Sequence, residues 1–189
     1  MKRAIAVLKS VSPYSQSNKI QSVKGAREKS NDYEERTWRE RCHVTEDGHI
    51  FIPPMVFANN IKEAAKYLSI QVPGSGKSTY TKNFDAGVMV LESLVLPDLV
   101  ADVKGETLFV PSDGKPGGGK RVEKTFPYIP SWSGTVEYIV LDDLITQDVF
   151  QRVLVAGGTL IGIGRFRPRN RGYYGRFAVE KLTWVNEDL

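Results

Sequence analysis

The stretch GIGRFRPRNRGYYGRF, residues 162–177, combines glycine, arginine and aromatic residues and contains no acidic residue. Arginine binds phosphate oxygens in pairs, glycine lets a backbone approach a ligand closely, and aromatic rings stack on bases. This arginine segment therefore predicts contact with a nucleic-acid backbone through Gly162, Gly164, Arg165, Phe166, Arg167, Arg169, Arg171, Tyr173, Tyr174 and Arg176. The alternative interpretation is a solvated arginine-rich turn whose aromatic rings pack on the core.

A helix and a strand are predicted on either side of the arginine segment. Before it, Thr146 and Asp148 are typical of a helix N-terminus, and Gly157-Gly158 ends the helix. The apolar residues between them fall on one helical face: Val149, Phe150, Val153 and Leu154. After the segment, residues 176–185 alternate between two faces, as a strand does.

The order of the earlier elements decides the predicted fold. A strand over residues 3–11 is followed by a helix over 54–68 that opens with Pro53-Pro54, and by strands over 86–96 and 136–141. With the two elements that flank the arginine segment, the order is strand, helix, strand, strand, helix, strand. This is the βαββαβ order of a ferredoxin-like (RRM-like) α+β fold.

We expect a single domain over residues 1–189 with two long insertions, because 189 residues with 41% hydrophobic side chains suit one core. The insertion at 12–53 holds a predicted charged helix over 32–41 and a hairpin over 43–52 around Asp47-Gly48. The insertion at 97–133 holds a short strand over 108–110 and a glycine-rich loop over 114–120. We expect Lys120 and Arg121 of this loop to contact the nucleic acid.

The charge of the chain is distributed unevenly. The 26 basic and 22 acidic residues give a net charge of only +4, so the prediction of a polyanionic ligand depends on the clustered arginines. One cysteine, Cys42, cannot form an internal disulfide, and no apolar run approaches the roughly 20 residues of a membrane helix. We expect a cytoplasmic protein with no membrane partner.

The arginine segment, placed after the second predicted helix, resembles the glycine-rich loop of the repeat-associated mysterious protein (RAMP) superfamily. Residues 52–61 resemble a motif of those families in which isoleucine, proline and small residues precede a helix. Here Pro54 and Met55 stand in place of the usual small residues. The two insertions resemble the finger and thumb excursions of RNA-binding backbone subunits of CRISPR effector complexes. The resemblance implies single-stranded RNA or DNA as ligand, an antiviral role, and self-association or assembly with other subunits.

The stretch VPGSGKST, residues 72–79, is similar to a phosphate-binding loop, and YIVLD, residues 138–142, to a magnesium-binding strand end. The loop motif requires glycine where Gln71 stands, and it should connect a buried strand to a helix. We therefore expect an exposed loop whose Lys77 adds to nucleic-acid contact.

Candidate catalytic residues are few. His43 and His49 share the predicted hairpin, and some members of the RAMP superfamily cleave RNA, although ordinary surface histidines are the simpler interpretation. Asp142 and Asp143 suit the start of a helix, and Asp113 has no supporting motif. We predict no catalytic residue, cofactor or metal. An RNA-cleaving enzyme of this superfamily and a phage-encoded mimic or inhibitor of a CRISPR subunit are the alternatives.

Overall fold

Strand β1 (Lys2–Ser10) lies at the centre of the main sheet in the computed structural model, which describes residues 1–112, 117 and 119–186. β1 pairs antiparallel with β7 (Ser133–Val140) on one side and with β8 (Phe177–Asn186) on the other. The short strand β3 (Val88–Met89) pairs antiparallel with β7, so the strand order is β3-β7-β1-β8. Asp113 and most of the predicted glycine-rich loop lie outside the described residues.

Two amphipathic helices cover one face of this sheet. α2 (Pro54–Leu68) and α4 (Gln147–Ala156) bury their apolar residues against those of β1, as their helical spacing predicts. The residues with no exposed surface include Ala4, Ala6, Leu8, Phe57, Ile61, Ala64, Phe150, Val153 and Leu154. The Oγ1 atom of Thr146 accepts a hydrogen bond from the Val149 N–H group (3.3 Å), which confirms the predicted helix start.

The remaining elements form two smaller sheets and two helices. α1 (Ser30–Thr37) continues into a 3₁₀ turn (Trp38–Arg41), and α3 spans Thr81–Gly87. β2 (His49–Ile52) pairs antiparallel with β4 (Leu94–Leu99). β5 (Lys104–Pro111) and β6 (Arg121–Tyr128) form an antiparallel hairpin. The protein is thus α+β, with antiparallel sheets and four α-helices among its described residues. No helix in this part of the chain is long and apolar enough to cross a membrane.

The strand predicted over residues 86–96 is wrong as one continuous strand, since the structure divides this range between two short strands. α3 extends to Gly87, β3 has only two residues, and β4 pairs with β2 rather than with the main sheet. Burial explains the helix, because Phe84 is fully buried and stacks on Phe150 with 6.2 Å between ring centroids. The start of α3 at Thr81 also corrects the loop predicted over 73–83.

The two insertions contain more regular structure than the sequence predicts. The turn at Asp47-Gly48 is confirmed, since the Thr45 N–H group donates to the His49 carbonyl (2.8 Å), but the continuous partner of β2 is β4. The short strand predicted over 108–110 is part of the eight-residue β5, and its partner β6 was not predicted. The helix predicted over 32–41 is divided between α1 and the 3₁₀ turn.

A buried amide holds the arginine segment onto the helical layer. α4 passes into a π-helical turn (Gly157–Ile161) that leads directly to Gly162. Asn60 of α2 has no exposed surface, and its Nδ2 atom donates to the carbonyls of Gly157 (2.9 Å) and Gly162 (2.8 Å). Asn60 therefore fixes the point at which the chain leaves α4.

Backbone hydrogen bonds close the arginine segment into a compact loop. The N–H group of Ile163 donates to the Gly175 carbonyl (2.9 Å), and that of Arg165 donates to the Ser15 carbonyl (3.0 Å). Gly175 has a φ of +74°, and a Cβ atom there would lie 1.8 Å from the Ile163 carbonyl oxygen. The loop's own packing thus requires glycine at this position.

We predict that Asn60→Ala lowers the free energy of unfolding by about 2 kcal/mol, because the buried Gly162 carbonyl loses its donor and the Gly157 carbonyl keeps only the Gly162 N–H group. Urea denaturation measures the loss. Asn59→Ala, on the exposed side of the same helix, should change stability by less than about 0.5 kcal/mol. Equal effects of the two substitutions would contradict the role given to Asn60.

We predict that Gly175→Ala costs at least about 3 kcal/mol, because it combines an unfavourable φ with a clash against the backbone. Gly74 is the matched control, since its φ is +75° and no atom lies within 4 Å of an added Cβ. Gly74→Ala should cost only about 1 kcal/mol. Similar losses in thermal denaturation would show that the loop relaxes around the methyl group.

Candidate nucleic-acid interface

A groove of about 650 Å³ is lined jointly by the arginine segment and the β5–β6 hairpin. Four basic side chains and two phenylalanine rings line it together with smaller residues: Arg41, Arg121, Lys124, Arg165, Phe126 and Phe166. Two of the predicted binding residues of the arginine segment, Arg165 and Phe166, thus meet the predicted Arg121 at one site. This groove is the candidate nucleic-acid interface.

The register of the hairpin explains its contribution to the groove. Lys124 lies opposite Leu108, and Phe126 lies opposite Glu106. Because side chains alternate along a strand, Lys124 and Phe126 share the face that lines the groove. Neither Lys124 nor Phe126 was predicted to bind. Residues two apart in a strand share one face, so their spacing within RVEKTFPY (121–128) could have indicated a common surface.

Arg165 lies between two aromatic rings. Its Cζ atom is 3.1 Å from the ring centroid of Phe126 and 3.8 Å from that of Phe166. Its Nη1 atom is buried and has no hydrogen-bond partner among the described residues. Burial lowers the pKa of the guanidinium to about 10, so Arg165 stays charged at neutral pH. The groove therefore contains a half-buried cation, and an anion in the groove would contact the exposed part of this side chain.

Arg41 has a structural role at the edge of the groove. Its guanidinium makes a two-point ion pair with the Glu34 carboxylate (2.7 and 3.0 Å) and donates to the Thr125 carbonyl (2.8 Å). Only 8% of the Arg41 side chain is exposed, so Glu34 neutralises a buried charge. This pair joins α1 and its 3₁₀ turn to β6 and leaves Arg121, Lys124 and Arg165 as the cations available to a ligand.

The structure directs two arginines of the segment towards α2. One carboxylate, that of Glu63, accepts from Arg167 Nη2 (3.0 Å) and Arg169 Nε (3.1 Å). Arg176 donates to the carbonyls of Thr159 (3.2 Å), in the π-helical turn, and Tyr173 (3.3 Å). Arg167 and Arg169 thus face α2, whereas Arg165 faces the groove.

The three aromatic residues of the segment differ in exposure. Tyr174 is 3% exposed, and its hydroxyl donates to the Glu106 carboxylate (2.7 Å). Burial and this hydrogen bond raise the pKa of Tyr174, so it stays protonated. Phe166 is 39% and Tyr173 61% exposed. Tyr174 thus stabilises the loop, whereas Phe166 and Tyr173 retain open surface for a base.

Two other predicted basic residues lie outside the groove. Lys120 lines an adjoining cleft of about 670 Å³ along the hairpin. Lys77 lies in an exposed turn closed by a bridge between Gln71 and Thr79. This turn precedes the seven-residue α3 and follows a helix, so it lacks the buried strand of a phosphate-binding loop.

The histidines and Asp142 that the sequence offered as catalytic candidates lie outside the groove or have a structural role. The His43 ring packs on Phe51 with 5.6 Å between centroids, and burial lowers the pKa of His43. His49 Nδ1 is buried and unpaired among the described atoms, and neither histidine is among the residues that line the groove. The Asp142 carboxylate accepts from Asn83 Nδ2 (2.8 Å) and from the Leu144 N–H group (2.9 Å), which orders the turn before α4.

The face of the main sheet opposite the helices differs chemically from the groove. Ile5, Val7 and Ile139 are half-buried there, and Arg3 pairs with Glu137 (Nη2 to Oε2, 2.7 Å). RRM domains stack bases on aromatic side chains of this face. Strands β1 and β7 carry only one aromatic residue, Tyr138, and it is fully buried on the helical side.

Comparison with solved structures shows a shared fold. The crystal structure of Cmr6 from Pyrococcus furiosus matches with a TM-score of 0.50 and 12% sequence identity, over 95% of this chain and 99% of that chain. A chain in the cryo-EM structure of the Type III-B Cmr-beta bound to cognate target RNA matches with a TM-score of 0.48 and 10% identity, over 97% of this chain and 61% of that one. No protein-family model and no curated protein matches the sequence.

Proposed function

We propose that this protein binds single-stranded nucleic acid, with RNA as the natural ligand, in the groove between the arginine segment and the β5–β6 hairpin. The observation that carries the proposal is the grouping of Arg165, a half-buried cation packed between two aromatic rings, with Arg121 and Lys124 in one groove. A phosphate in the groove would pair with Arg121, with Lys124 and with the exposed part of Arg165. Because guanidinium and ammonium groups recognise phosphate rather than base edges, binding is largely independent of sequence.

We further propose that the chain is one ferredoxin-like domain with insertions at 12–53 and 97–133. The strand order β3-β7-β1-β8, with α2 before β3 and α4 before β8, supports the βαββαβ arrangement. The fold shared with Cmr6 and the sequence resemblance to the RAMP superfamily support a role in a CRISPR-type complex, in which this protein assembles with other subunits.

We predict that Arg121→Ala with Lys124→Ala weakens binding of an oligo(U) of about 20 nucleotides by about 10- to 100-fold. In a plot of the logarithm of the binding constant against the logarithm of the salt concentration, the slope should become shallower by about 1.4, since each phosphate contact on a single strand contributes about 0.7. Fluorescence anisotropy at several salt concentrations measures both quantities. Lys66→Ala with Lys181→Ala removes the same charge at exposed positions of α2 and β8 and should leave the salt dependence unchanged.

Equal loss in the two double variants would mean that net charge alone drives binding, which contradicts the groove. Absence of any nucleic-acid binding by the wild type would favour the mimic or inhibitor. Cleavage of the oligonucleotide that depends on His43 or His49 would favour the enzyme.

We predict that Glu63→Gln strengthens oligo(U) binding by about two- to tenfold and steepens its salt dependence, because Arg167 and Arg169 lose their shared anion. Glutamine keeps the size of the side chain and removes only the charge. Glu92→Gln, at an exposed position between β3 and β4, is the matched control. An affinity that rises equally in both variants would show that Glu63 does not restrain these arginines.

A further inference from the structure

The backbone at Phe166 has a conformation that phenylalanine rarely adopts. Three non-glycine residues in the described part of the chain have positive φ: Ser69 (48°), Phe166 (53°) and Arg171 (64°). In this region the Cβ atom of an L-residue crowds the following carbonyl, so glycine and asparagine are preferred. A bulky aromatic residue at positive φ strains the backbone locally, and the other contacts of the loop offset the cost.

The loop needs the backbone conformation at residue 166, but the backbone contacts do not require an aromatic side chain. The Phe166 carbonyl accepts from the Tyr174 N–H group (3.0 Å). The same carbonyl lies so close to Gly172 that a Cβ atom on Gly172 would be 1.7 Å from its oxygen. Glycine at position 166 would make these backbone contacts with less strain. The presence of phenylalanine therefore points to a role for the ring itself.

The ring of Phe166 is held firmly while part of it remains open. The Arg165 guanidinium lies 3.8 Å from its centroid, and the Tyr174 ring contacts it at 6.3 Å in an edge arrangement. Phe166 is nevertheless 39% exposed and lines the groove beside Arg121 and Lys124. An immobilised aromatic surface next to cations can stack on a base while the cations bind the adjoining phosphates.

We infer that Phe166 is a base-stacking platform, so that the groove selects strands with unpaired bases over polyanions that have no bases. This inference rests on the proposed function and narrows its ligand. The competing role for the ring is to hold the Arg165 guanidinium by a cation–π contact, and loss of that contact would weaken the binding of every polyanion equally.

The test compares two ligands of similar charge, an oligo(U) and inorganic polyphosphate, at one salt concentration. Wild-type protein should bind oligo(U) about tenfold more tightly, and Phe166→Leu should lose about tenfold for oligo(U) but little for polyphosphate. Phe166→Trp should keep the affinity for oligo(U), and its added tryptophan emission should be quenched by oligo(U) but not by polyphosphate. Tyr67→Leu, at an exposed aromatic residue of α2 outside the groove, should change neither affinity.

The outcomes separate the inference from the proposed function. Equal binding of the two ligands by the wild type, or equal loss for both in Phe166→Leu, overturns the stacking role and leaves an anion-binding groove. Failure of the wild type to bind either ligand overturns the proposed function itself. Because Phe166→Trp retains an aromatic ring at the site, its emission tests the stacking role even if Phe166→Leu does not fold.

Discussion

The amide of Asn60 is the contact on which the geometry of the groove depends. It lies in the buried interface of α2 and binds the carbonyl of Gly157, just after α4, and that of Gly162, where the arginine segment begins. From this fixed point, backbone hydrogen bonds to residues 13–15 position Arg165 against the β5–β6 hairpin. A polar side chain in the core therefore connects the packing of the helices to the placement of a charged surface group.

The distribution of paired and unpaired charges defines the candidate ligand site better than the number of arginines does. Glu34 neutralises Arg41, and Glu63 neutralises part of the charge of Arg167 and Arg169. Arg165 is packed between two rings and half-buried, where a charge interacts more strongly than in bulk water. A chain with a net charge of only +4 can thus present a strongly attractive local site for a polyanion.

The sequence predicts the parts of the fold that depend on strong periodicity. The helix over 54–68 and the strand that contains Ala4, Ala6 and Leu8 are recognisable because one face of each is apolar throughout. The bounds of β3 could not be predicted, since a two-residue strand has no period of its own and lies within the longer apolar run over 86–96. At the candidate site, the arginine segment identified Arg165 and Phe166, whereas the directions of Arg167 and Arg169 depend on Glu63, which is about 100 residues distant in sequence. Partners so far apart in sequence cannot be predicted from local patterns.

The most direct test of the central claim is to map where a single strand contacts the protein. Photocrosslinking with an oligonucleotide that contains 4-thiouridine, followed by mass spectrometry, identifies the modified residues. We predict adducts in β6 and in the arginine segment, centred on Lys124 and Phe166. Adducts confined to the open face of the main sheet, around Ile5, Val7 and Ile139, would contradict the account.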